Sequence, residues 1–330
     1  MTLNENDSFV IYRKPFEDTV NIIEGNWVNE TKLSKSTKKC FVFSTFSGEI
    51  FKIIGNHKIL KESIKITSSN WNQQKSTEID VYKKNVQKAL NSIDEGIVNK
   101  IIISRVINHK HNIQNYFNLF KSYCKNYNHG LVYILNHPSK GLWIGVSPEL
   151  LISKRESKFF LTESLAGSQK WKSDIVWNKK EIEEQEFVSD HIIKCINKHG
   201  ELFTESGPKT KKAGNLAHIN TVFNFSLKSD INDFIKDLHP TPAIAGTPRD
   251  ISIKKIREIE QHKRELYCGF LGEISDEKLE LFINLRCAKG FKESINLYVG
   301  GGITGKSQIE KEFDETEIKS QTLLSVIKNL

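Results

Sequence analysis

The residues best suited to chemistry lie near the end of the chain. Leu297, Tyr298 and Val299 read as a short apolar strand, and three glycines, Gly300 to Gly302, follow. Glycines let backbone N–H groups approach a ligand with no Cβ between. Ser307 then reads as a helix N-cap, and Glu310, three residues on, completes a capping box. On that helix Glu312, Glu315 and Lys319 have the spacing of one shared face. Ile309, Phe313, Leu324 and Ile327 form an apolar stripe beside them, so the carboxylates sit at the edge of a core. Unpaired charge there is costly. A divalent cation is one partner for it; an ordinary Glu–Lys pair on a capped surface helix is another.

A second acidic helix is predicted over residues 179–200. Its apolar stripe contains Val188, Ile192, Cys195 and Ile196. Glu181 and Glu184 fall within or beside that stripe, whereas Glu183 and Glu186 point away. Acids on the apolar side of a helix are informative because they need a partner. Lys100 raises the same question on a strand, where it shares a face with Ile102, Ser104 and Val106. Apolar surroundings lower an ammonium pKa and make a base, unless the side chain snorkels to water. Glu149 follows Pro148 at a strand junction and is a general acid if half-buried, a plain turn acid if not.

Three further places fit ligand binding. His239 opens HPTPAIAGTPR, where prolines fix the backbone. Arg286 lies on an apolar strand and has the planar fork that grips a carboxylate, with Tyr267 to assist it. Ala166, Gly167 and Ser168 read as a small-residue turn that lets backbone come close to something. His239 reads equally as a structural hydrogen-bonder, and Arg286 and Tyr267 also read as core-edge residues with a local partner.

The elements that position these residues are mostly strands. Short strands alternate with polar turns over residues 1–75, including 40–44 and 49–54. A helix over 78–95 ends at Gly96, a strand covers 97–107, and a helix covers 115–127. Strands at 131–135 and 142–146 flank a turn at Asn136–Ser139, and 150–153 and 159–161 continue the sheet. After the acidic helix come a strand at 218–227, helices at 231–238 and 253–266, and a strand at 279–287. Hairpin spacing outnumbers strand–helix–strand units. That pattern predicts an α+β fold, antiparallel sheets with helices packed outside, in one domain over 1–330.

Composition narrows the function. The 330 residues are 38% hydrophobic and 27% charged, as in a folded globular chain. No run of about 18 apolar residues is present, so no membrane span is expected. The first residues lack a basic region followed by an apolar one, so secretion is not expected. Five cysteines, with no C-x-x-C pair, indicate neither zinc nor a disulfide framework and suit a reducing cytoplasm. The net charge of +8 comes from scattered lysines without interleaved aromatics. Nucleic acid is therefore not the expected partner; a small anionic substrate is, since a positive field speeds its arrival.

The order of the pieces says more than any one of them. KIIISR (100–105), SPELL (147–151), LAGS (165–168), the acidic helix with EEQEFV, HPTPAIAGTP (239–248), LYCGFLGEI (266–274), FINLRCA (282–288) and GGGI with EFDETEIK together resemble the chorismate-utilising enzymes. That family includes isochorismate, salicylate, anthranilate and aminodeoxychorismate synthases. The resemblance runs from about residue 78 to 330, and residues 1–77 match less clearly. It implies two large antiparallel sheets stacked at the centre with helices outside, in a monomer that binds Mg²⁺ and chorismate. Glu184 and Glu315 match the metal-holding glutamates, with Glu181 and Glu312 as supporting acids and Lys319 close by. Arg286 and Tyr267 match positions that grip the enolpyruvyl carboxylate, and Gly300 and Gly302 match a turn beside it. The family usually has Glu-His in the acidic helix, where this chain has Glu184-Gln185.

The resemblance also orders the activities. Aminodeoxychorismate synthases carry a nucleophilic lysine where this chain has Ala166. Anthranilate synthases lack a base like Lys100 and differ where this chain has HPTPA. Lys100 then implies water as the nucleophile, attacking C2 of chorismate, while Glu149 protonates the departing C4 hydroxyl. The expected product is isochorismate. Salicylate synthase, which shares both residues and goes on to eliminate pyruvate, is the alternative; an inactive chorismate-binding relative is the non-enzyme one.

Overall fold

β-Branched and aromatic runs put most of this chain in strands. The computed structural model describes residues 1–34, 36–70, 73–156, 158–213 and 216–330. The first part holds β1 (Thr2–Leu3), β2 (Phe9–Arg13), β3 (Val20–Glu30), β4 (Cys40–Ser44), β5 (Ile50–Ile59) and β6 (Lys65–Ile66). Then come α1 (Ile79–Asp94), β7 (Lys100–Lys110), α2 (Tyr116–Asn126), β8 (Leu131–His137), β9 (Gly141–Ser147), β10 (Glu149–Glu156) and β11 (Phe159–Lys170). The chain continues with α3 (Lys179–His199), β12 (Gly200–Ala213), β13 (Leu216–Leu227), α4 (Ile231–Leu238), β14 (Gly246–Thr247) and α5 (Arg249–Ile259). It ends with β15 (Phe270–Ile274), β16 (Leu279–Ile283), β17 (Arg286–Gly290), β18 (Ser294–Thr304) and α6 (Ile309–Ile327).

The fold is the expected α+β one, and its sheet is continuous. Sixteen of the described strands hydrogen-bond in the order β12-β13-β11-β10-β16-β15-β4-β5-β3-β2-β8-β9-β17-β18-β7-β14. A sheet this wide curls instead of staying open. Its two halves accordingly share one core, where Val10, Tyr133, Trp143 and Tyr298 meet Leu151, Leu271, Phe282 and Phe225. The two stacked sheets expected from the resemblance are thus the halves of one ladder folded on itself. Residues of the first 77 lie inside that ladder, with β2 between β3 and β8 and β4 between β5 and β15. Outside, α2 and α6 cover one flank through Tyr116, Phe120 and Leu324, and α1 and α5 another through Tyr82, Val86 and Ile256. Helix α3 packs Val188, Ile192 and Ile196 into the shared core.

Several elements differ from the sequence-based expectation, each for a local reason. The three glycines are not a turn: β18 runs straight through them, with Gly300, Gly301 and Gly302 opposite Ser104, Ile103 and Ile102 of β7. Nor are Ala166, Gly167 and Ser168 a free turn. They form a bulge inside β11, where the register with β13 shifts between Ala166 and Gln169 and Gly167 takes φ +65°. Strand β7 starts at Lys100 instead of 97, because the Ile97 and Val98 N–H groups turn back to the Ser92 carbonyl. The run 279–287 breaks at buried Asn284, whose amide donates to the Leu266 carbonyl and whose oxygen accepts from Tyr133. Ser307 does not cap α6: its hydroxyl accepts the Thr304 N–H, the helix opens at Ile309, and Glu310 pairs with Lys83. Helix α5 stops at Ile259 instead of 266, since Glu260 and Arg264 turn inward as a buried pair whose guanidinium also donates to Ile102 and Ile244 carbonyls. β12 was not expected at all; its lysines and glutamates suit an edge strand that must not pair further.

Candidate active site

Strand alternation delivers the first group. On β7, Ile101 and Ile103 face the helices α1 and α5, so Lys100, Ile102 and Ser104 face the other way. The neighbouring β18 is glycine there, and the missing side chains leave room for a cleft. Glu149, Ala166, Gly167, Ser168, Glu184 and Tyr267 line it, and so do Arg286, Gly300, Gly302 and Lys319. Ten of the residues named from sequence therefore share one wall-to-wall site. They arrive from β10, β11, α3, β17, β18 and α6, with Tyr267 in the segment before β15.

Lys100 lies one layer behind the lining, fully buried, with its ammonium 3.0 Å from Glu184 Oε1. Burial pushes its pKa below the usual 10.5, and Glu184 partly offsets that. Burial disfavours ionisation of Glu184 as well, but Lys100, Lys180 and Lys319 outweigh it and hold the carboxyl below its usual range. Gly302 is what lets this pair form: a Cβ there would stand 2.4 Å from Glu184 Oε1. Glu149 is the opposite case. It is 3% exposed at the head of β10, opposite Ile283 of β16, and burial with help from Glu163 pushes its pKa up to about 8. A neutral carboxylic acid and a buried lysine of weakened basicity are the two ends of an acid–base pair.

Arg286 opens β17 at the cleft wall, and no described residue accepts a hydrogen bond from its guanidinium. Burial lowers its pKa, against Tyr267, Glu149 and Glu315, without taking it out of the charged form. A planar cation with all its donors free is suited to an anionic ligand. The Tyr267 hydroxyl stands beside Gly300, within 3.0 Å of where a Cβ would be. Lys319 donates to the Gly300 carbonyl at 2.9 Å and pairs with Glu315 one turn back.

The other acids gather at a second opening beside the cleft, which Ser168 shares and which Glu181, Glu312 and Glu315 line. Glu181 serves the helix itself, accepting the Asn178 N–H at 3.0 Å as half of a capping box. Glu312 is 1% exposed; Lys180 of α3 reaches one of its oxygens, and the other is buried with no partner among the described residues. Burial, aided by Glu315 and opposed by Lys180, pushes its pKa up. No three His, Cys, Asp or Glu side chains gather at one point among the described residues. Mg²⁺ does not require that: it takes one or two carboxylates and fills its remaining positions with water and ligand oxygens. Glu184 and Glu315 supply two such groups from α3 and α6, and the bare Glu312 oxygen lies next to Gly301 of β18. These carboxylates are the donor type that ion takes; Lys100, Lys180 and Lys319 hold Glu184, Glu312 and Glu315 in this structure.

His239 does not line the cleft. Its Nε2 lies 3.0 Å from the Cys268 carbonyl and its ring stands edge-on to Phe270, so it braces the turn that presents Tyr267. Burial pushes its pKa down to about 4. Sequence reasoning missed His218, which does line the cleft from β13. Its Nδ1 is 2.9 Å from the Gly167 carbonyl, which can only accept, so Nδ1 carries the proton. Nε2 is then a buried acceptor without a partner among the described residues, and burial, Arg286 and Lys319 push the pKa down to about 3. The available signal was a histidine at the start of a strand, directly after the apolar pair Leu216-Ala217. Lys180 was missed too, four residues before Glu184 on the same helix face.

Comparison with known proteins gives the family and the fold. The chorismate binding enzyme family matches residues 31–328, well before residue 78 where the resemblance was first legible. The vibriobactin-specific isochorismate synthase of Vibrio cholerae is 26% identical over 264 residues, 74% of this chain and 66% of that protein. Isochorismate synthase DhbC of Bacillus subtilis is 27% identical over 270 residues, again 74% and 66%. The chain thus spans just under two thirds of the length of these curated relatives. The solved structure described as a putative 2,3-dihydroxybenzoate-specific isochorismate synthase from Bacillus anthracis superposes with TM-score 0.81 at 22% identity, covering 98% of this chain and 96% of that one, which speaks for the fold. The chain belongs to the chorismate binding enzymes.

Proposed function

We propose that this protein is an isochorismate synthase, an isomerase that converts chorismate to isochorismate. The observation that carries the reading is the placing, at one cleft, of a buried Glu149 in the wall and a buried Lys100 directly behind it, held by Glu184. Arg286, with Tyr267 beside it, binds a substrate carboxylate. Lys100, when uncharged, takes a proton from water as the water oxygen bonds to C2 of the ring. The ring double bonds shift, the C4–O bond breaks, and Glu149 gives its proton to the leaving hydroxide, which departs as water. One water enters and one leaves, so the reaction is an isomerisation. His218 Nε2, an acceptor only, takes a hydrogen bond from a substrate hydroxyl. Glu184 and Glu315, with Glu312 beside them, would hold Mg²⁺, which would supply positive charge to a ring carboxylate as negative charge shifts. Ala166 in the cleft wall offers no nucleophile of its own, which favours water.

The test is to incubate the protein with chorismate and Mg²⁺ and to identify products by mass. Isochorismate alone supports the reading. Salicylate with pyruvate selects the eliminating alternative, and unchanged chorismate with retained binding selects an inactive relative.

A further inference from the structure

We propose that Gln185 is a positioning residue that fixes Glu184 for a divalent cation through a buried knot of hydroxyl groups. The inference rests on the cation reading given above. Gln185 follows Glu184 on α3 and is 5% exposed. Its Nε2 lies 2.8 Å from Ser164 Oγ, 2.8 Å from Ser189 Oγ and 2.9 Å from Thr221 Oγ1. Ser164 and Ser189 are also bonded to each other at 2.9 Å. An amide nitrogen has two protons, so two hydroxyls accept from it and the Ser164–Ser189 bond holds the third.

The partners sit where they fix the helix against the sheet. Ser164 of β11 and Thr221 of β13 are directly opposite in the ladder, at 0% and 1% exposure. Ser164 is two residues before Ala166, the start of the bulge that lines the cleft. One side chain thus ties α3 to two strands, at the level where the next residue back reaches over Gly302 to Lys100. An apolar group at 185 would leave the buried Thr221 hydroxyl without this bond, leave Ser164 and Ser189 only each other, and remove the link that sets the height and rotation of α3. Groups that orient a metal ligand from behind are worth about 10–100-fold in metal affinity.

The experiment uses the full chain and Mn²⁺ as probe, with free ion counted by electron paramagnetic resonance. Melting temperature is measured in parallel. Gln185→Leu should weaken Mn²⁺ binding by roughly tenfold or more while the protein remains folded. Gln185→His, which keeps a donor at similar reach, should recover most of it. A folded Gln185→Leu protein with unchanged Mn²⁺ affinity overturns the proposal, even if its melting temperature falls, because that is what mere packing would give. Should Gln185→Leu not fold, Thr221→Val and Ser164→Ala decide: a several-fold loss of affinity supports the knot, and none overturns it. A wild-type protein that binds no Mn²⁺ overturns it also. Whether the isochorismate reading stands is settled separately by the product assay on the wild type.

Discussion

At the scale of single residues, Glu149 makes the sharpest commitments. Its carboxyl is held protonated up to about pH 8, against 4.5 when free. Turnover should therefore fall as pH passes about 8, where Glu149 loses its proton. Glu149→Gln should lower turnover by roughly 10²–10⁴ with little change in substrate binding. The same substitution should stabilise the fold. Between 4.5 and about 8 the native state holds a proton that the unfolded chain releases, so native stability falls as pH rises through that window. Gln stays neutral and escapes the loss. The gain should be absent below pH 4.5 and reach about 3 kcal/mol at pH 7, from about 1.36 kcal/mol per pH unit. Thermal melts of both proteins from pH 4 to 8 check it; parallel curves would mean that Glu149 ionises normally. Arg286→Lys should raise the Michaelis constant for chorismate roughly tenfold or more in steady-state assays, because an ammonium cannot make two parallel bonds to a carboxylate. These residues were legible because charge on an apolar strand is conspicuous in a sequence. His218 was not, since one histidine at a strand start looks the same whether its second nitrogen faces a cleft or water.

At the scale of elements, the acids are useful only because of what β18 omits. Gly302 does not need its conformational freedom, since it sits in a regular ladder opposite Ile102. It needs its missing Cβ, which would fall 2.4 Å from Glu184 Oε1 and 3.2 Å from Lys100 Cε. Both of those atoms are on flexible side chains, so Gly302→Ala should keep the β7–β18 ladder and displace the Glu184–Lys100 pair. We expect an unchanged circular dichroism spectrum and melting temperature within a few degrees, with turnover down at least tenfold. A large drop in melting temperature would instead place the role of Gly302 in the strand. The existence of the helices could be read from the sequence, because 3.6-residue stripes such as Val188, Ile192 and Ile196 are strong signals. The glycines could not be placed, because a run of three reads as a turn until a partner strand is known. The bulge at Gly167 and the break at Asn284 escaped for a related reason: each is fixed by contacts with strands far away in sequence.

At the scale of the whole molecule, the first 77 residues are where sequence and structure differ most in emphasis. Their motifs matched weakly, yet they supply six strands, and four of these, β2 to β5, lie inside the main sheet. Phe9, Val10, Ile11, Tyr12, Phe41, Val42 and Phe43 are all completely buried there. The Tyr12 hydroxyl also bonds Glu273 of β15 at 2.6 Å, tying β2 across the fold. At about 2 kcal/mol per fully buried apolar side chain, these seven alone match the 5–15 kcal/mol by which a domain is usually stable. Removing residues 1–77 would also leave β8 and β15 as long apolar edges, which pair with other chains. The cleft residues would all remain in such a protein, since the first of them in the chain is Lys100. We therefore expect a 78–330 chain to aggregate, eluting in the void volume in size-exclusion chromatography and converting no chorismate. A soluble, monodisperse 78–330 protein with a cooperative melt and normal turnover would show that the N-terminal strands are an accessory layer, and that the part of the chain with legible motifs folds by itself.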